Sequence, residues 1–163
     1  MDGTASNPFR PAGRRSVVPS VTDTYIENRV RVQPDDTNNY ASAHGGNVVK
    51  WMDEVGAMSA MRLAGSTCVT ARISGLDFER PIPQGDICAI ESYVYAAGTS
   101  SVRVRLRAFR EDPRSGETEQ TTRSHFVFVA VDEDMKPTTV PDLAVESDRD
   151  QRLRQAALAA ERS

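Results

Sequence analysis

The spacing of apolar and polar residues predicts five strands and one long helix before residue 132. The clearest strand covers residues 102–107, where three aliphatic residues alternate with three arginines. A period of two is typical of a strand with one buried face, so the arginine side is expected to face solvent or a partner subunit. Further strands are predicted at residues 21–32, 67–78, 87–96 and 121–131, each bounded by turn residues such as glycine and proline.

A single long helix is predicted from Asn47 to about Ala64, because apolar residues follow one another there with few helix-breaking residues. Asn47 is expected to cap it after the flexible pair Gly45 and Gly46, which leaves the N–H groups of the first helical turn free to attract negative charge. One face of this helix carries small residues around Asp53. A buried carboxylate is costly unless it is paired or used, so a core ion pair and a catalytic site are both open interpretations.

These elements predict an α+β fold in which a curved antiparallel sheet wraps around the helix. The four strands after the helix are joined by short turns, so they are expected to form a meander in chain order. The helix is the one predicted element available to cover the apolar face of that sheet. We predict a flexible arm at residues 1–20, one domain at residues 21–143, and a tail at residues 144–163 that contains a C-terminal helix over residues 146–163.

The composition restricts the class of protein. A length of 163 residues suits one domain, and 20 basic against 23 acidic residues, a net charge of −3, disfavour a nucleic-acid partner. No apolar run is long enough to span a membrane, and the N-terminal residues lack the apolar core of a secretory signal. Cys68 and Cys88 are isolated, which indicates neither a disulfide framework nor a metal site. We therefore expect a cytoplasmic protein without membrane insertion.

Short motifs follow one another along the chain. Two lie at the predicted helix, His44-Gly45-Gly46 before it and Trp51-Met52-Asp53-Glu54 within it. The others are Asp35-Asp36-Thr37-Asn38, Val69-Thr70-Ala71, Phe78 with Pro81, Gly85-Asp86, Gly98-Thr99-Ser100 and Val140-Pro141. Together with the order of elements, these motifs resemble the hotdog-fold acyl-CoA thioesterases, specifically their cytosolic acyl-CoA hydrolase branch. The resemblance covers residues 21–143.

The resemblance implies hydrolysis of a fatty acyl-CoA thioester to a free fatty acid and CoA, in an active site shared across a homodimer. Asp53 is implied as the catalytic carboxylate, acting as a base or as a nucleophile. Asn38 is implied to come from the facing subunit, although an Asx turn explains it without any catalytic role. The N–H groups of Gly45 and Gly46 are implied as oxyanion donors, with His44 orienting the glycine turn.

Contacts with CoA are implied at the strand after the helix and at a later turn. The residues implied are Ala71, Arg72, Ile73, Thr99, Ser100 and Ser101, together with Arg162 near the chain end. Arg72 and Arg162 are candidates to pair with phosphate, and a plain surface arginine is the alternative for each. The resemblance also implies dimers that stack as a trimer of dimers. The sequence has no metal cluster, P-loop or GxSxG element, so we expect no metal and no cofactor beyond the CoA of the substrate.

Two other functions are weighed against hydrolysis. A hydratase of the same fold needs an Asp and a His close together, and Asp53 has no His within the next few residues. A non-catalytic acyl-CoA sensor keeps the fold and loses hydrolysis, but such sensors usually carry an added DNA-binding module, for which the N-terminal arm is too short. Release of free thiol from acyl-CoA distinguishes the enzyme from the sensor.

Overall fold

The computed structural model describes residues 18–163 of the chain. It contains one antiparallel sheet of five strands, with a long helix on one face and a second helix on the other. In chain order the elements are β1 (Ile26–Arg31), α1 (Gly45–Ala64), β2 (Thr67–Phe78), β3 (Ile87–Ala97), β4 (Ser101–Glu111), β5 (Thr118–Val131) and α2 (Asp148–Glu161). The predicted α+β fold, a curved sheet around a central helix with a C-terminal helix added, is confirmed.

The strand order across the sheet is β1-β3-β4-β5-β2, so only β3, β4 and β5 form a meander. The predicted four-strand meander is wrong for β2, which pairs with β5 at the far edge. The linker at residues 79–86 does not form a hairpin, because the loop before α1 binds it. Ala43 N–H donates to Ile82 O (2.8 Å), and Gln84 N–H donates to Ala41 O (2.9 Å). These bonds guide the chain across the sheet to the start of β3.

The first predicted strand, over residues 21–32, is longer than the observed one. β1 begins only at Ile26, because Thr22–Thr24 forms a turn of 3-10 helix. Thr24 is buried in this turn, where its hydroxyl donates to Val21 O (2.7 Å) and accepts from Val94 N–H (2.9 Å). A side chain therefore replaces a strand partner at this corner of the sheet.

α1 covers the inner face of the sheet and buries Val48, Met52, Val55 and Ser59, which share one side of the helix. Gly56 lies where the helix is closest to the strands. A Cβ atom at this glycine would stand 2.9 Å from Leu106 Cδ1 and 3.1 Å from Phe128 Cζ, closer than carbon atoms pack. Glycine at this position therefore sets the distance between helix and sheet, and an alanine there is expected to cost about 1–3 kcal/mol.

The start of α1 differs from the prediction by two residues. The helix begins at Gly45, with His44 as its N-cap, so the expected capping role of Asn47 is wrong. Asn47 is inside the first turn, and its side-chain Nδ2 donates to Asp36 O (3.2 Å) in the preceding loop. The helix ends at Ala64 and is capped by Gly65, whose left-handed φ of 68° lets its N–H donate to Met61 O (2.8 Å).

α2 packs on the outer face of the sheet and is held there by polar contacts. Tyr93 Oη donates to Leu153 O (2.7 Å), and His125 Nε2 donates to Ala157 O (3.1 Å). The predicted C-terminal helix is confirmed, with bounds at residues 148–161 instead of 146–163. Neither helix in the described part of the chain combines the length and apolar character that crossing a membrane requires.

The arginines of β4 are less solvated than their alternation suggests. Arg105 donates to Tyr93 Oη (3.1 Å), and Arg107 forms a short ion pair with Glu91. Arg103 has a side chain that is 50% exposed and contacts Glu161 at 3.4 Å. The outer face of β4 is therefore bound by its own chain, through β3 and the end of α2.

The start of the described chain lies beside the segment that precedes α2. Val21 N–H donates to Ala144 O (3.2 Å), and Ala144 N–H donates to Pro19 O (2.9 Å). Residues 1–17 of the predicted N-terminal arm lie outside the described residues. The remaining part of that segment therefore contacts the chain just before α2.

Candidate active site

Two groups of predicted site residues lie along α1. His44, Gly45 and Gly46 are at its start, and Asn38 is in the loop that precedes them. Asp53 is near the middle of the helix, eight residues after Gly45. At the helical rise, this spacing corresponds to roughly 12 Å along the axis. The start and the middle of α1 are therefore separate parts of one chain's surface.

Asp53 is half-buried, and its carboxylate has one hydrogen-bond donor among residues 18–163. That donor is Thr70 Oγ1 on β2, which forms a short bond with Asp53 Oδ1. Thr70 is aligned with Phe128 of β5, whose ring is buried beneath α1, so the threonine also faces the helix. The hydroxyl orients the carboxylate through one oxygen and leaves the other oxygen available.

Thr70 is a site residue missing from the sequence-based prediction. It lies inside the Val69-Thr70-Ala71 motif, but the predicted contacts with CoA begin only at Ala71. The sequence feature that points to Thr70 is a hydroxyl residue in the strand that follows the helix. The fold is what brings this hydroxyl onto Asp53.

Asn38 occupies an Asx turn, the structural role that the sequence also allows. Its Oδ1 accepts hydrogen bonds from Tyr40 N–H (2.9 Å) and Ser42 N–H (3.3 Å). The backbone closes the same loop, since Asn38 N–H donates to Ser42 O (2.9 Å) and Ala41 N–H donates to Asn38 O (3.2 Å). The amide oxygen of Asn38 is therefore used by the loop, and its nitrogen is left to bind other groups.

One N–H group at the start of α1 is free. His44 Nδ1 accepts a hydrogen bond from Gly46 N–H (3.1 Å), whereas Gly45 N–H has no acceptor in the part of the chain that the structure describes. The predicted pair of free donors is therefore reduced to Gly45, because the cap occupies Gly46. His44 makes the expected contact with the glycine turn. Since Nδ1 accepts this bond, the proton of the neutral ring is on Nε2.

A cleft of about 310 Å³ lies beside the start of α1. Gly45 and Val48 contribute to its lining from the helix, and Phe78 contributes from the end of β2. A Cβ atom on Gly45 would lie 3.5 Å from Phe78 Cζ, so the ring packs over the glycine. Asn38 lines the same cleft and Asp53 does not. One chain thus brings Asn38 to Gly45 and not to Asp53.

The first group of predicted CoA contacts lies on β2, at the edge of the sheet. Ala71, Arg72 and Ile73 are exposed, and a bulge at Ala71 interrupts the pairing with β5. Arg72 is aligned with Val127 on the outer face, whereas Ile73 is aligned with Phe126 on the inner face. The arginine and the isoleucine therefore belong to opposite faces of the sheet.

The second group of predicted CoA contacts is the turn between β3 and β4. Ser101 is aligned with Val129 of β5, and Val129 is aligned with Val69 of β2, so this turn and the Ala71 bulge are near the same end of the sheet. The carbonyls of the two residues before Ser101 each accept a backbone hydrogen bond of 2.9 Å. Arg162 caps the end of α2 in the outer layer and is exposed.

Residues 40–117, which contain His44, Asp53 and Thr70, match the thioesterase superfamily. A Bacillus subtilis protein described as the uncharacterized acyl-CoA thioester hydrolase YkhA is 37% identical over 128 residues, or 78% of this chain and 74% of the relative. The chain belongs to the acyl-CoA thioester hydrolases. Another member of this family, the acyl-CoA thioester hydrolase YciA of Escherichia coli, is 32% identical over 116 residues, or 69% of this chain and 88% of the relative.

Solved acyl-CoA thioesterase structures share the fold of this acyl-CoA thioester hydrolase. An apo-hexameric acyl-CoA thioesterase has a TM-score of 0.78 and 34% identity, covering 88% of this chain and 92% of that one. The Staphylococcus aureus acyl-CoA hydrolase, in complex with butyryl coenzyme A, coenzyme A and coenzyme A disulfide, has a TM-score of 0.78 and 33% identity over 88% of each chain. The predicted hotdog fold and thioester hydrolase class are confirmed.

Three single-alanine variants of the S. aureus enzyme have also been solved. The replaced residues are an asparagine, an aspartate 15 positions later and a threonine 17 positions after that. Each variant structure is 32% identical to this chain.

Proposed function

We propose that this enzyme hydrolyses fatty acyl-CoA to the free fatty acid and CoA, with Asp53 as general base or nucleophile and Asn38 contributed by the partner subunit. The observation that carries this proposal is the hydrogen bond from Thr70 to the half-buried Asp53 carboxylate. Asn38, Asp53 and Thr70 are 15 and 17 positions apart, the spacing of the three residues replaced in the S. aureus enzyme. This agreement supports a role for all three in one reaction.

A thioester is already activated, so the enzyme must supply a base or nucleophile and donors for the developing oxyanion. As a base, Asp53 takes a proton from water while the water oxygen attacks the thioester carbon. The oxyanion then accepts hydrogen bonds, for which the free Gly45 N–H is suited. When the carbon–sulfur bond breaks, CoA leaves as a thiolate that takes up the proton held by Asp53, so the carboxylate is regenerated and the acyl group leaves as the acid.

As a nucleophile, Asp53 instead attacks the thioester carbon and displaces the CoA thiolate, which forms a mixed anhydride. Water then hydrolyses the anhydride to the fatty acid and regenerates the carboxylate. Both routes use the carboxylate oxygen that Thr70 does not bind. His44 has a positioning role in either route, because it holds Gly46 N–H and so shapes the turn that presents Gly45 N–H.

The proposal includes a partner subunit because, within one chain, Asn38 lines the cleft at the start of α1 and Asp53 does not. A twofold axis can bring the partner subunit's Asn38 to Asp53, and symmetry then repeats the contact at the second site. The free edge of β2 offers unpaired backbone groups to such a partner. We propose that the dimers assemble as a trimer of dimers, in line with the hexameric neighbour.

The CoA part of the substrate is proposed to lie near the Ala71 bulge and the β3–β4 turn, and the residues expected to contact it are Ala71, Arg72, Ile73, Thr99, Ser100, Ser101 and Arg162. Arg72 is exposed and has no acidic partner among residues 18–163, so its guanidinium is available to phosphate. The proposed reaction uses no metal, and it uses no cofactor beyond the CoA that the substrate carries. The cytoplasmic location stays a prediction.

Thiol release tests this function directly. The wild type should release CoA from a panel of acyl-CoAs between acetyl and palmitoyl, measured with a thiol-reactive dye. Asp53→Ala should abolish release while CoA binding and the oligomer are retained. Glu54→Ala is the matched control, because Glu54 is the neighbouring acid and is exposed. Turnover that survives in Asp53→Ala contradicts the role given to this carboxylate.

Hybrid dimers test whether the site is shared. Asp53→Ala and Asn38→Ala chains, each nearly inactive alone, are co-expressed with different tags. A mixed dimer has one site with both residues intact and one with neither, so random pairing should restore about a quarter of wild-type activity. Activity that stays at the level of the parents shows that Asn38 and Asp53 do not meet across an interface.

A further inference from the structure

Asn38 is held in a single amide orientation by the loop that it closes. Its Oδ1 accepts from Tyr40 N–H and from Ser42 N–H. Both partners are donors, so a reversed amide would set its own NH₂ against two N–H groups and lose both bonds. The oxygen is therefore consumed inside the loop. Nδ2, with two protons, is the part of the side chain that is open to a substrate.

Ala41 holds this loop in shape. Its φ of 56° lies in the left-handed region, which is disfavoured for a residue with a Cβ atom. The neighbouring bonds impose this conformation, since Ala41 N–H donates to Asn38 O (3.2 Å) and Gln84 N–H donates to Ala41 O (2.9 Å). The linker between β2 and β3 thus fixes the backbone on which the Asn38 amide is mounted.

Asn38 shares its cleft with Gly45, whose N–H has no acceptor among residues 18–163. Both Asn38 and Gly45 line the cleft of about 310 Å³. Two hydrogen-bond donors, Nδ2 and Gly45 N–H, therefore belong to residues that line one cleft. Two donors in one cleft suit a single oxygen that gains negative charge.

We propose that Asn38 acts only as a hydrogen-bond donor, with Nδ2 directed to the carbonyl oxygen of the thioester, and that Ala41 is the positioning residue that fixes this orientation. This inference rests on the proposed function. An amide oxygen whose two lone pairs already accept hydrogen bonds cannot accept another from the attacking water. One chain accordingly supplies the oxyanion donors, and the other supplies Asp53 with its threonine.

Replacing Asn38 in two ways tests the donor role. Asn38→Asp keeps the size and the accepting oxygen but replaces the donor with a second acceptor, whereas Asn38→Ala removes both. A donor role predicts that Asn38→Asp loses at least as much kcat as Asn38→Ala, on the order of 10²-fold, with KM nearly unchanged. If Asn38→Asp retains clearly more activity than Asn38→Ala, the side chain acts as an acceptor and the proposal is overturned.

Met135 offers a matched control for Ala41. It is also a non-glycine residue in the left-handed region, with φ of 61°, in the turn after β5. Thr122 in the first half of β5 lines the cleft, and Val131 at the end of the strand is roughly 30 Å away at the rise of a strand. A valine disfavours the left-handed conformation at either position, so Ala41→Val and Met135→Val should lower the melting temperature by similar amounts.

Only Ala41→Val should lower kcat, by about 10- to 100-fold, because it alone shifts the amide of Asn38. Ala41→Gly, which adopts the conformation freely, should restore the rate. Equal kcat in Ala41→Val and Met135→Val overturns the positioning role, and Ala41→Leu replaces the valine variant if that variant does not fold. A wild type that binds acyl-CoA without releasing thiol refutes the proposed function instead.

Discussion

The two helices of this enzyme each carry a shielded aspartate, and the two aspartates differ in how many groups bind them. Asp53 on α1 accepts one hydrogen bond, from Thr70 on the inner face of the sheet. Asp150 on α2 accepts four, from Thr22 N–H, Thr22 Oγ1, Glu146 N–H and Ser147 N–H. A carboxylate with one partner is oriented and still reactive, whereas a carboxylate with four is saturated.

The surroundings of Asp150 also control its pKa. Burial alone raises the pKa of a carboxyl group, but the hydrogen bonds from Thr22, Glu146 and Ser147 outweigh burial and hold the pKa of Asp150 well below its usual range. The ionised group ties the Thr22 turn to the start of α2. Shielding of an acid on a helix therefore does not identify a catalytic residue. The number of donors around each acid fits the catalytic role proposed for Asp53 and a structural role for Asp150.

The sharpest way to break this comparison is to neutralise Asp53 without changing its size. Asp53→Asn should lower kcat by about 10³-fold, because the base or nucleophile is lost. The free energy of unfolding, measured by urea titration, should change by less than about 1 kcal/mol, since only one hydrogen bond is altered. A large loss of stability with little loss of kcat would place Asp53 in the structural class.

Asp150→Asn should have the opposite signature. The amide cannot accept from all four donors and sets its own NH₂ against them, so we expect a loss of about 2–3 kcal/mol in the free energy of unfolding. The rate per folded molecule should be unchanged. Asp148→Asn, at an exposed position of the same helical turn, is the control and should stay within about 0.5 kcal/mol of wild type. Equal stability of the two variants would contradict the role of Asp150 in tying the Thr22 turn to the start of α2.

The pH dependence of stability sharpens the comparison further. The pKa of Asp150 is lower in the folded chain than in the unfolded chain, where its reference value is 3.8. The ionised carboxylate therefore contributes fully to the free energy of unfolding above the unfolded-state pKa. This contribution is lost as the pH falls through the folded-state pKa. The urea midpoint of the wild type should therefore fall more steeply between about pH 5 and pH 2 than that of Asp150→Asn. Parallel curves would mean that the carboxylate is not held ionised by folding.

The smallest effect is expected for one of the bonds between α2 and the sheet. Tyr93→Phe removes the hydroxyl that donates to Leu153 O and accepts from Arg105, at a cost of about 1 kcal/mol in the free energy of unfolding. Tyr40→Phe is the control, because Tyr40 is 86% exposed and its hydroxyl has no partner in the described residues. If both variants are equally stable, the hydroxyl of Tyr93 does not help to hold α2.

Strand prediction succeeded where the signal is local. Both ends of β2 were predicted at residues 67 and 78, and the alternation at residues 102–107 identified β4. The pairing of β2 was predicted incorrectly, because a short linker suggests a hairpin unless something else binds it. Here Ala43 and Ala41 bind residues 82 and 84, and these contacts join segments that are distant in the chain.

In the site too, local spacing predicts some features, and contacts between distant segments decide the others. The sequence indicates an acid on an apolar helix after a glycine turn, and the Asx turn at Asn38 is also readable from local spacing. The cap of α1 could not be predicted, because Asn47 gives its side chain to Asp36 O, 11 positions away, and leaves His44 as the cap. Local cap preferences do not include such a competitor.

By itself, the sequence determined the fold class, the position of Asp53 and the resemblance to acyl-CoA thioesterases, because periodicity and short motifs depend on near neighbours. Only the tertiary structure decided that Thr70 meets Asp53, that β2 lies beside β5, and that Asp150 is saturated. Thr22 and Asp150 are 128 positions apart in the chain. Groups so far apart come within hydrogen-bond distance only when the sheet has formed and the helices have packed on its two faces.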